Sequence, residues 1–433
     1  MSFKYALSFV PGVEMYVQAD CKRILHLTPG WVLSIRSNHP GFAVIEADAP
    51  VPVERLRQMP WLEGLFALVH CATVSMGEEG LPELCKLLDA LDWSDALSLW
   101  RRHRREAGWE DAAPSSFRVT AERETWWAFP SDLLAESEPD SRQPKRHAYR
   151  SVDIEKTVGE VVWEKTQWPA RMKGFDLEFY VHVFDSDAVL GLSIVHLTRR
   201  PVVPHCVMTT LRAGVVDAMR RLALLDAPAQ IVVDPMCGAG SVPMAFGDVC
   251  DALPFDAGAA RRDAVQMFRS PAVPQAAWAR CHAFGGDSST EALGACLRNS
   301  CEVEGGGLRV DFVRWDACAL PLRTACIDRI VVDLPFGNKC GSHHKNSKTY
   351  HLMLDEMHRV LVDGGVAVLL TRERALMLRY LRDELRGNGS KWEIRSLTPV
   401  YMNMNCTIFC LAKRAHAVTD SLKVPHADAH RPA

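Results

Sequence analysis

"VVDPMCGAGSVPMAF" (Val232–Phe246) decides how the second half of this chain folds. A short apolar run ends on Asp234. A turn containing Gly238 and Gly240 follows, and then a stretch with helical character. Further along, "VVDLPFG" (Val331–Gly337) repeats the strand-then-acid theme. Between and around the two, strands and helices alternate. "TTLRAGVVDAMRRLALLD" is an amphipathic helix. "HAFGGD", "LRVDFVRWD", "DRIVVDLPFG", "GVAVLLT", "WEIRSLTPVY" and "CTIFCLAK" read as strands, with a helix around "TYHLMLDEMHRVL". This βαβα rhythm predicts a doubly wound α/β domain over residues 201–415. Residues 251–280, rich in Ala, Arg and Pro, interrupt it as an inserted loop, and the tail after residue 415 lacks periodicity.

Ligands of an open parallel sheet bind outside the carboxyl ends of its strands. Asp234, Asp287, Asp316 and Asp333 each close a candidate strand and would line that edge. Gly238 and Gly240 let backbone approach a ligand without a Cβ in the way. The loop has no GK[ST] and no strict GxGxxG, so it is not built for a pyrophosphate. An acid ahead of the turn would repel phosphate and suits an amine or a cation. S-adenosylmethionine carries both an ammonium and a sulfonium, and no phosphate. Asp287 would take its ribose hydroxyls, and Asp316, in "VRWDACALPL", its adenine amine. A strand-end Asp is often only a helix N-cap. Four in order at α/β spacing argue against that for the set.

In "DLPFG", Asp333 and the Leu334 carbonyl offer two acceptors, Pro335 stiffens the turn, and Phe336 offers a flat face. Acceptors converging on an exocyclic amine, with a ring stacked on its base, are what N-methylation of a nucleobase requires.

The rest of the chain is ordinary in composition. Its 433 residues are 48% hydrophobic and 24% charged, with a net charge of −3. This is too long for one core, and no global positive excess advertises nucleic acid. The 14 Cys are scattered, with no CxxC pair and no zinc-type Cys/His spacing, so no metal site is expected and a reducing compartment is. No apolar run is long enough to span a bilayer, and "MSFKYALSFVPGVEMY" does not read as a secretory signal. A cytoplasmic protein, or one that is also nuclear, is expected. Residues 1–110 read as an α+β, ferredoxin-like module and 111–200 as a second small α+β unit, with 416–433 a loose tail. Basic clusters at Arg101–Arg105, at Lys145, Arg146 and Arg150, and at Arg199 and Arg200 are candidates for RNA contact, with Trp126, Trp127, Trp163 and Trp168 among them. A charge run is more often a solvated helix face, and most of the Trp are expected in the core. His182 and His196 flank strands and read as structural.

At "DPMCGAG", "WDACALPLRTACID" and "DLPFGNKCGS" the chain resembles the THUMP-domain RNA guanine-N2 methyltransferases. "SSFRVTAE" and "GFDLEFYVHVFDSDAVLGLSIVHLTRR" look like the start and end of a THUMP domain, assigned here to 111–200. The likeness is specific from about residue 200 to 415 and weaker before it. The resemblance implies a Rossmann-like class I methyltransferase domain, S-adenosylmethionine as cofactor, and formation of N2-methylguanosine in tRNA or a similar structured RNA. It also implies a small zinc-binding activator subunit. A sheet edge covered by such a subunit would keep segments such as "GVAVLLT" soluble. Asp234, Cys237, Gly238 and Gly240 match the first cofactor motif, Asp287 the ribose-binding acid and Asp316 the adenine-side acid. Asp333, Leu334, Pro335 and Phe336 match the catalytic motif. The 251–280 insertion separates the Gly loop from Asp287, which makes Asp256 and Asp263 rivals for the second acid. Two other readings stay open: adenine-N6 methylation, because related turns hold both amines, and a non-catalytic RNA-binding or assembly protein that kept the fold.

Overall fold

The computed structural model describes residues 2–26, 28–36, 39–109, 113–125, 146–197, 205, 211–223, 231–246, 282–303, 310–335, 343–386 and 391–414. They build two seven-stranded sheets.

The first sheet contains β1 (Phe3–Phe9), β2 (Val32–Ile35), β3 (Phe42–Ala47), β4 (Leu62–Thr73), β5 (Phe117–Glu124), β6 (Leu177–Phe184) and β7 (Asp187–His196), in the order β2-β3-β1-β4-β7-β6-β5. All neighbours are antiparallel except β5 and β6. The sequence separates residues 1–110 from 111–200. The structure joins them, because β4 pairs with β7 along its length, from Gly64 opposite His196 to Thr73 opposite Asp187. Neither segment closes a sheet of its own, and sharing one removes two edges.

Alternating Leu177, Phe179, Val181 and Val183 suggest a half-buried strand, yet every residue of β6 is buried. Helices α3 (Gly80–Ala90), α4 (Ser94–Glu106) and α5 (Ser151–Thr166) contribute Leu84, Leu88, Leu99, Ile154 and Val158 to one core with Phe179 and Val181. The opposite face buries Tyr180, stacked on Phe66 at 4.3 Å, with Phe42 beside it. Most of its polar groups pair with one another: Tyr180 donates to Glu122 at 3.2 Å, His196 Nδ1 lies 3.0 Å from Glu178, and His182 Nδ1 lies 2.8 Å from His39 Nε2. His182 and His196 lie within the sheet and pair with neighbouring side chains there.

Helix α1 (Glu14–Ile24) and the short α2 (Val53–Arg57) complete the first unit. The chain then enters α6 (Ala213–Ala223), every residue of which is buried. A surface helix would bury one stripe. This one lies between the second sheet and the first unit, so its charged residues are buried as well and are paired. Arg221 bonds Asp217 and Asp20 at 2.7 Å each, Trp61 Nε1 donates to Asp20 at 2.9 Å, and Arg220 pairs with Asp217. A buried charge stripped of its partner costs about 3–5 kcal/mol, so this network fastens the two units together.

The second sheet contains β8 (Ile231–Asp234), β9 (His282–Asp287), β10 (Val310–Arg314), β11 (Ile327–Asp333), β12 (Leu361–Thr371), β13 (Trp392–Tyr401) and β14 (Asn405–Lys413). Its order is β10-β9-β8-β11-β12-β14-β13, parallel except at β14, which pairs antiparallel with β12 and β13. With α7 (Ser241–Phe246), α8 (Thr290–Val303), α9 (His343–Val360) and α10 (Arg374–Arg386), this is the expected Rossmann-like domain. Apolar runs such as Ile330-Val331-Val332 are buried on both faces, which explains why they do not alternate. "GVAVLLT" lies in β12, between β11 and β14, so it is no edge and needs no cover. Among the described residues the sheet ends at β10 and at β13, whose Tyr401 N–H donates to the Pro11 carbonyl at 3.0 Å. Among the described residues no helix is long and apolar enough to cross a membrane.

Candidate active site at the strand-order reversal

From β8 the chain moves outward to β9 and β10, then returns to β11 on the other side of β8. Ligands bind at such a reversal, beyond the carboxyl ends of the strands. Asp234 and Asp333 are the last residues of the two strands that flank it, and Asp287 is the last residue of β9. Asp316 lies two residues past β10, exposed, with Oδ1 accepting from Cys318 N–H at 2.9 Å.

The Gly loop is held from below by backbone and side-chain bonds. Asp234 Oδ1 accepts from Met236 N–H at 3.0 Å, and Asp287 Oδ2 accepts from Gly238 N–H at 3.1 Å. Cys237 N–H donates to the Gly286 carbonyl at 2.8 Å, and Gly240 N–H to the Cys237 carbonyl at 2.8 Å. Gly238 has φ +54°, and a Cβ there would meet nothing within 4 Å. The glycine is required by its backbone, and the space its side chain would occupy is open. Gly286 is required for the opposite reason: a Cβ would fall 1.8 Å from the Trp315 ring.

Three further side chains, none assigned a role from the sequence, support the loop. Trp315 Nε1 donates to the Pro235 carbonyl at 3.0 Å. Asn299 Nδ2 donates to the Ala239 and His205 carbonyls, each at 2.9 Å. Cys296 Sγ lies 3.7 Å from Cys237 Sγ and donates to the Gly238 carbonyl at 3.0 Å. Sequence reading passed over all three. Asn299 had a signal, because it continues the Ala292, Ala295, Cys296 stripe of α8, where a polar residue must find a buried partner.

The electrostatics are one-sided. Burial raises the proton affinity of Asp234 well above the usual carboxylate range, and the charges of Asp333 and Asp287 add to it. The Met236 N–H offsets this only in part. Burial alone pushes Asp333 up to about 7. Its Oδ1 is shut off from solvent and has no hydrogen-bond partner among the described residues. Behind it, Leu334 N–H donates to the Leu370 carbonyl at 2.9 Å, and Tyr350 donates to the Pro335 carbonyl at 3.0 Å. The structure thus brings Asp234, Cys237, Gly238, Gly240, Asp287, Asp333, Leu334 and Pro335 to one sheet edge. Phe336, Arg199, Arg200, Asp256, Asp263, Lys145, Trp126, Trp127 and the 251–280 insertion lie outside the described residues. The Arg101–Arg105 cluster is a partly solvated helix face. Arg102 pairs with Glu106 at 3.0 Å, while Arg104 bonds the Asp176 carbonyl at 3.0 Å and lies over Trp109. Trp168 is partly buried, but Trp163 is 52% exposed, outside the core expected for most of the Trp.

Residues 202–403 match the family described as "RMKL-like, methyltransferase domain". The chain is 30% identical over 293 residues to the mouse tRNA (guanine(6)-N(2))-methyltransferase THUMP3, covering 64% of this chain and 51% of that protein. It is 28% identical over 225 residues to the cattle U6 snRNA (guanine-N(2))-methyltransferase THUMPD2, covering 51% and 37%. The chain spans about half the length of these curated relatives, or less. Among solved structures, TrmN from Thermus thermophilus shares the fold over 95% of this chain and 100% of that one, with a TM-score of 0.58 at 21% identity. Residues 202–403 are thus similar to the RMKL-like methyltransferase domain, and the chain resembles the THUMP-type RNA guanine-N2 methyltransferases over that region and part of what precedes it.

Proposed function

We propose that this chain transfers a methyl group from S-adenosylmethionine to the N2 amine of guanosine in tRNA or a similar structured RNA. The observation that carries the reading is the Asp333 carboxylate, an acid with an orphaned buried oxygen at the strand reversal, beside a second buried acid, Asp234. Acids left uncompensated in this way suit a cationic ligand next to an amine. The open space over Gly238 and the net negative character of the edge fit the cofactor. Asp234, Cys237, Gly238 and Gly240 would cradle its amino-acid part. Asp287 keeps a second lone pair on each oxygen for the ribose, and Asp316 lies exposed toward the adenine side. When bound, the cofactor supplies an electrophilic methyl on a sulfonium and leaves as the neutral thioether.

Asp333 and the Leu334 carbonyl would accept the two N–H bonds of the guanine amine, aiming its lone pair at the methyl carbon. Phe336 would stack on the base. As the N–CH3 bond forms, the nitrogen gains positive charge and sheds a proton. Asp333, with its proton affinity raised to about 7, is able to hold it. Residues 111–200 would serve as the THUMP-like RNA-binding unit, and Arg199 and Arg200 would contact phosphate. A small zinc-binding activator would cover the β10 edge, where Val313 is 39% exposed. We place the protein in the cytoplasm, with the nucleus as a second site, because every described cysteine is free.

The test is to isolate the chain with its co-purifying subunits, supply methyl-labelled cofactor and total small RNA, and analyse the nucleosides. N2-methylguanosine is the expected product. N6-methyladenosine would replace the reading with the adenine alternative. RNA binding without any methylated product would favour the non-catalytic protein.

A further inference from the structure

The Pro335 carbonyl, which opens the peptide bond to Phe336, is held by a side chain far from the motif. Tyr350, on α9 and 1% exposed, lies 3.0 Å from it. The Tyr350 hydroxyl is also 3.0 Å from Thr371 Oγ1, at the end of β12 and 0% exposed. Thr371 Oγ1 in turn lies 2.9 Å from the backbone nitrogen of Glu373, just ahead of α10.

Proton counting fixes the direction of all three bonds. A carbonyl only accepts, so the single Tyr350 proton goes to Pro335. Thr371 must then donate to Tyr350. A backbone N–H only donates, so Thr371 accepts from Glu373. The result is a one-way relay: Glu373 N–H to Thr371, Thr371 O–H to Tyr350, Tyr350 O–H to the Pro335 carbonyl. Each hydroxyl donates once and accepts once along the relay, so turning either one breaks two of its bonds. The relay runs from the N-terminus of α10 to the middle of the DLPF turn. On the other side of that turn the Leu334 N–H is tied to the Leu370 carbonyl at 2.9 Å. The turn is clamped from both ends of one peptide pair, while the Asp333 Oδ1 between the strands stays unpartnered.

We propose that Tyr350 and Thr371 are positioning residues for methyl transfer. They hold the Leu334–Pro335 backbone so that the Leu334 carbonyl meets the substrate amine in a fixed direction. The inference rests on the N-methyltransferase reading of this site. Misaligned near-attack geometry lowers turnover without weakening cofactor binding.

Three variants of the full chain, isolated with its co-purifying subunits, test it. Tyr350→Phe removes the last bond of the relay. Tyr350→Phe with Thr371→Val removes both hydroxyls together, so no buried hydroxyl is stranded and folding is kept. Thr371→Ser keeps the relay. Two quantities are read: kcat for RNA methylation, and hydrogen–deuterium exchange of the peptide covering 333–339 with S-adenosylhomocysteine bound. Both Phe variants should lower kcat by about 10-fold while KM for the RNA and cofactor affinity stay within about twofold. Exchange of that peptide should speed up by about 10-fold, with distant peptides unchanged. Thr371→Ser should match wild type in both. Unchanged exchange and kcat in the double variant would overturn the relay, as would a loss of activity that tracks cofactor affinity or melting temperature. Wild-type protein that methylates no RNA would sink the functional reading alone. The exchange comparison would still decide whether the relay orders the turn.

Discussion

Two carboxylates, one in each sheet and each with an oxygen shut off from solvent or bonded inside the fold, meet opposite fates. Glu178 in β6 is 8% exposed. Burial pushes its proton affinity up, but bonds from His196 and Thr120 and the nearby Arg118 charge outweigh this, and the group ends below the usual range. Asp333 in β11 has burial and nothing to offset it, and is pushed up to about 7. The difference separates structure from function. A fold that buries an acid for its own stability surrounds it with donors. The Asp333 oxygen left without a donor among the described residues is where the proposed substrate amine would donate.

The largest effect should come from removing the orphan. Asp333→Ala should lower turnover by about 100-fold or more, because the lost contact aligns the amine only in the reacting complex. Its melting temperature should not fall. Unchanged turnover in a steady-state methylation assay would break the comparison. Asp234→Asn keeps an acceptor for Met236 N–H but loses the charge, so cofactor affinity should fall by about 10-fold or more in calorimetry. If affinity holds, the acid is only a loop brace. Glu178→Ala should do the reverse of Asp333→Ala. It strands His196 and Thr120 and should cost about 1–3 kcal/mol in denaturant unfolding, while activity per folded molecule stays near wild type.

The two acids also predict opposite pH slopes. Asp333 is raised in the folded state, so its contribution to stability is full below its unfolded value near 4 and is lost as pH rises toward about 7. Asp333→Asn should flatten that fall in melting temperature. Glu178 is lowered, so its contribution is present above its unfolded value and is lost as pH falls through the folded one. Glu178→Gln should flatten only the acid limb. If both variants change the same limb, the contrast between the sites is wrong. The smallest effect concerns RNA. Replacing Arg199 and Arg200 by Ala should weaken binding several-fold and reduce the salt slope by about 2, without changing which base is modified.

The sequence by itself determined the second domain in detail. Parallel strands buried on both faces read as unbroken apolar runs, and an acid that ends such a run is visible in one dimension. Asp234, Asp287 and Asp333 were legible for that reason, and so were the Gly loop and the DLPF turn. Asp316 was read as a strand end and lies just past one. What only the tertiary structure decided was every pairing between distant residues. The β4–β7 ladder merges two segments that the linear pattern separates, because local periodicity carries no information on which edges meet. The wholly buried face of β6 was hidden because its Glu, Tyr and His look solvent-facing until their partners on β3, β5 and β7 are in place. The same holds at the site. Tyr350, Thr371 and Asn299 have no motif, Trp315 carries no visible role within its own, and what all four do exists only in the hydrogen bonds that folding closes across the sheet edge.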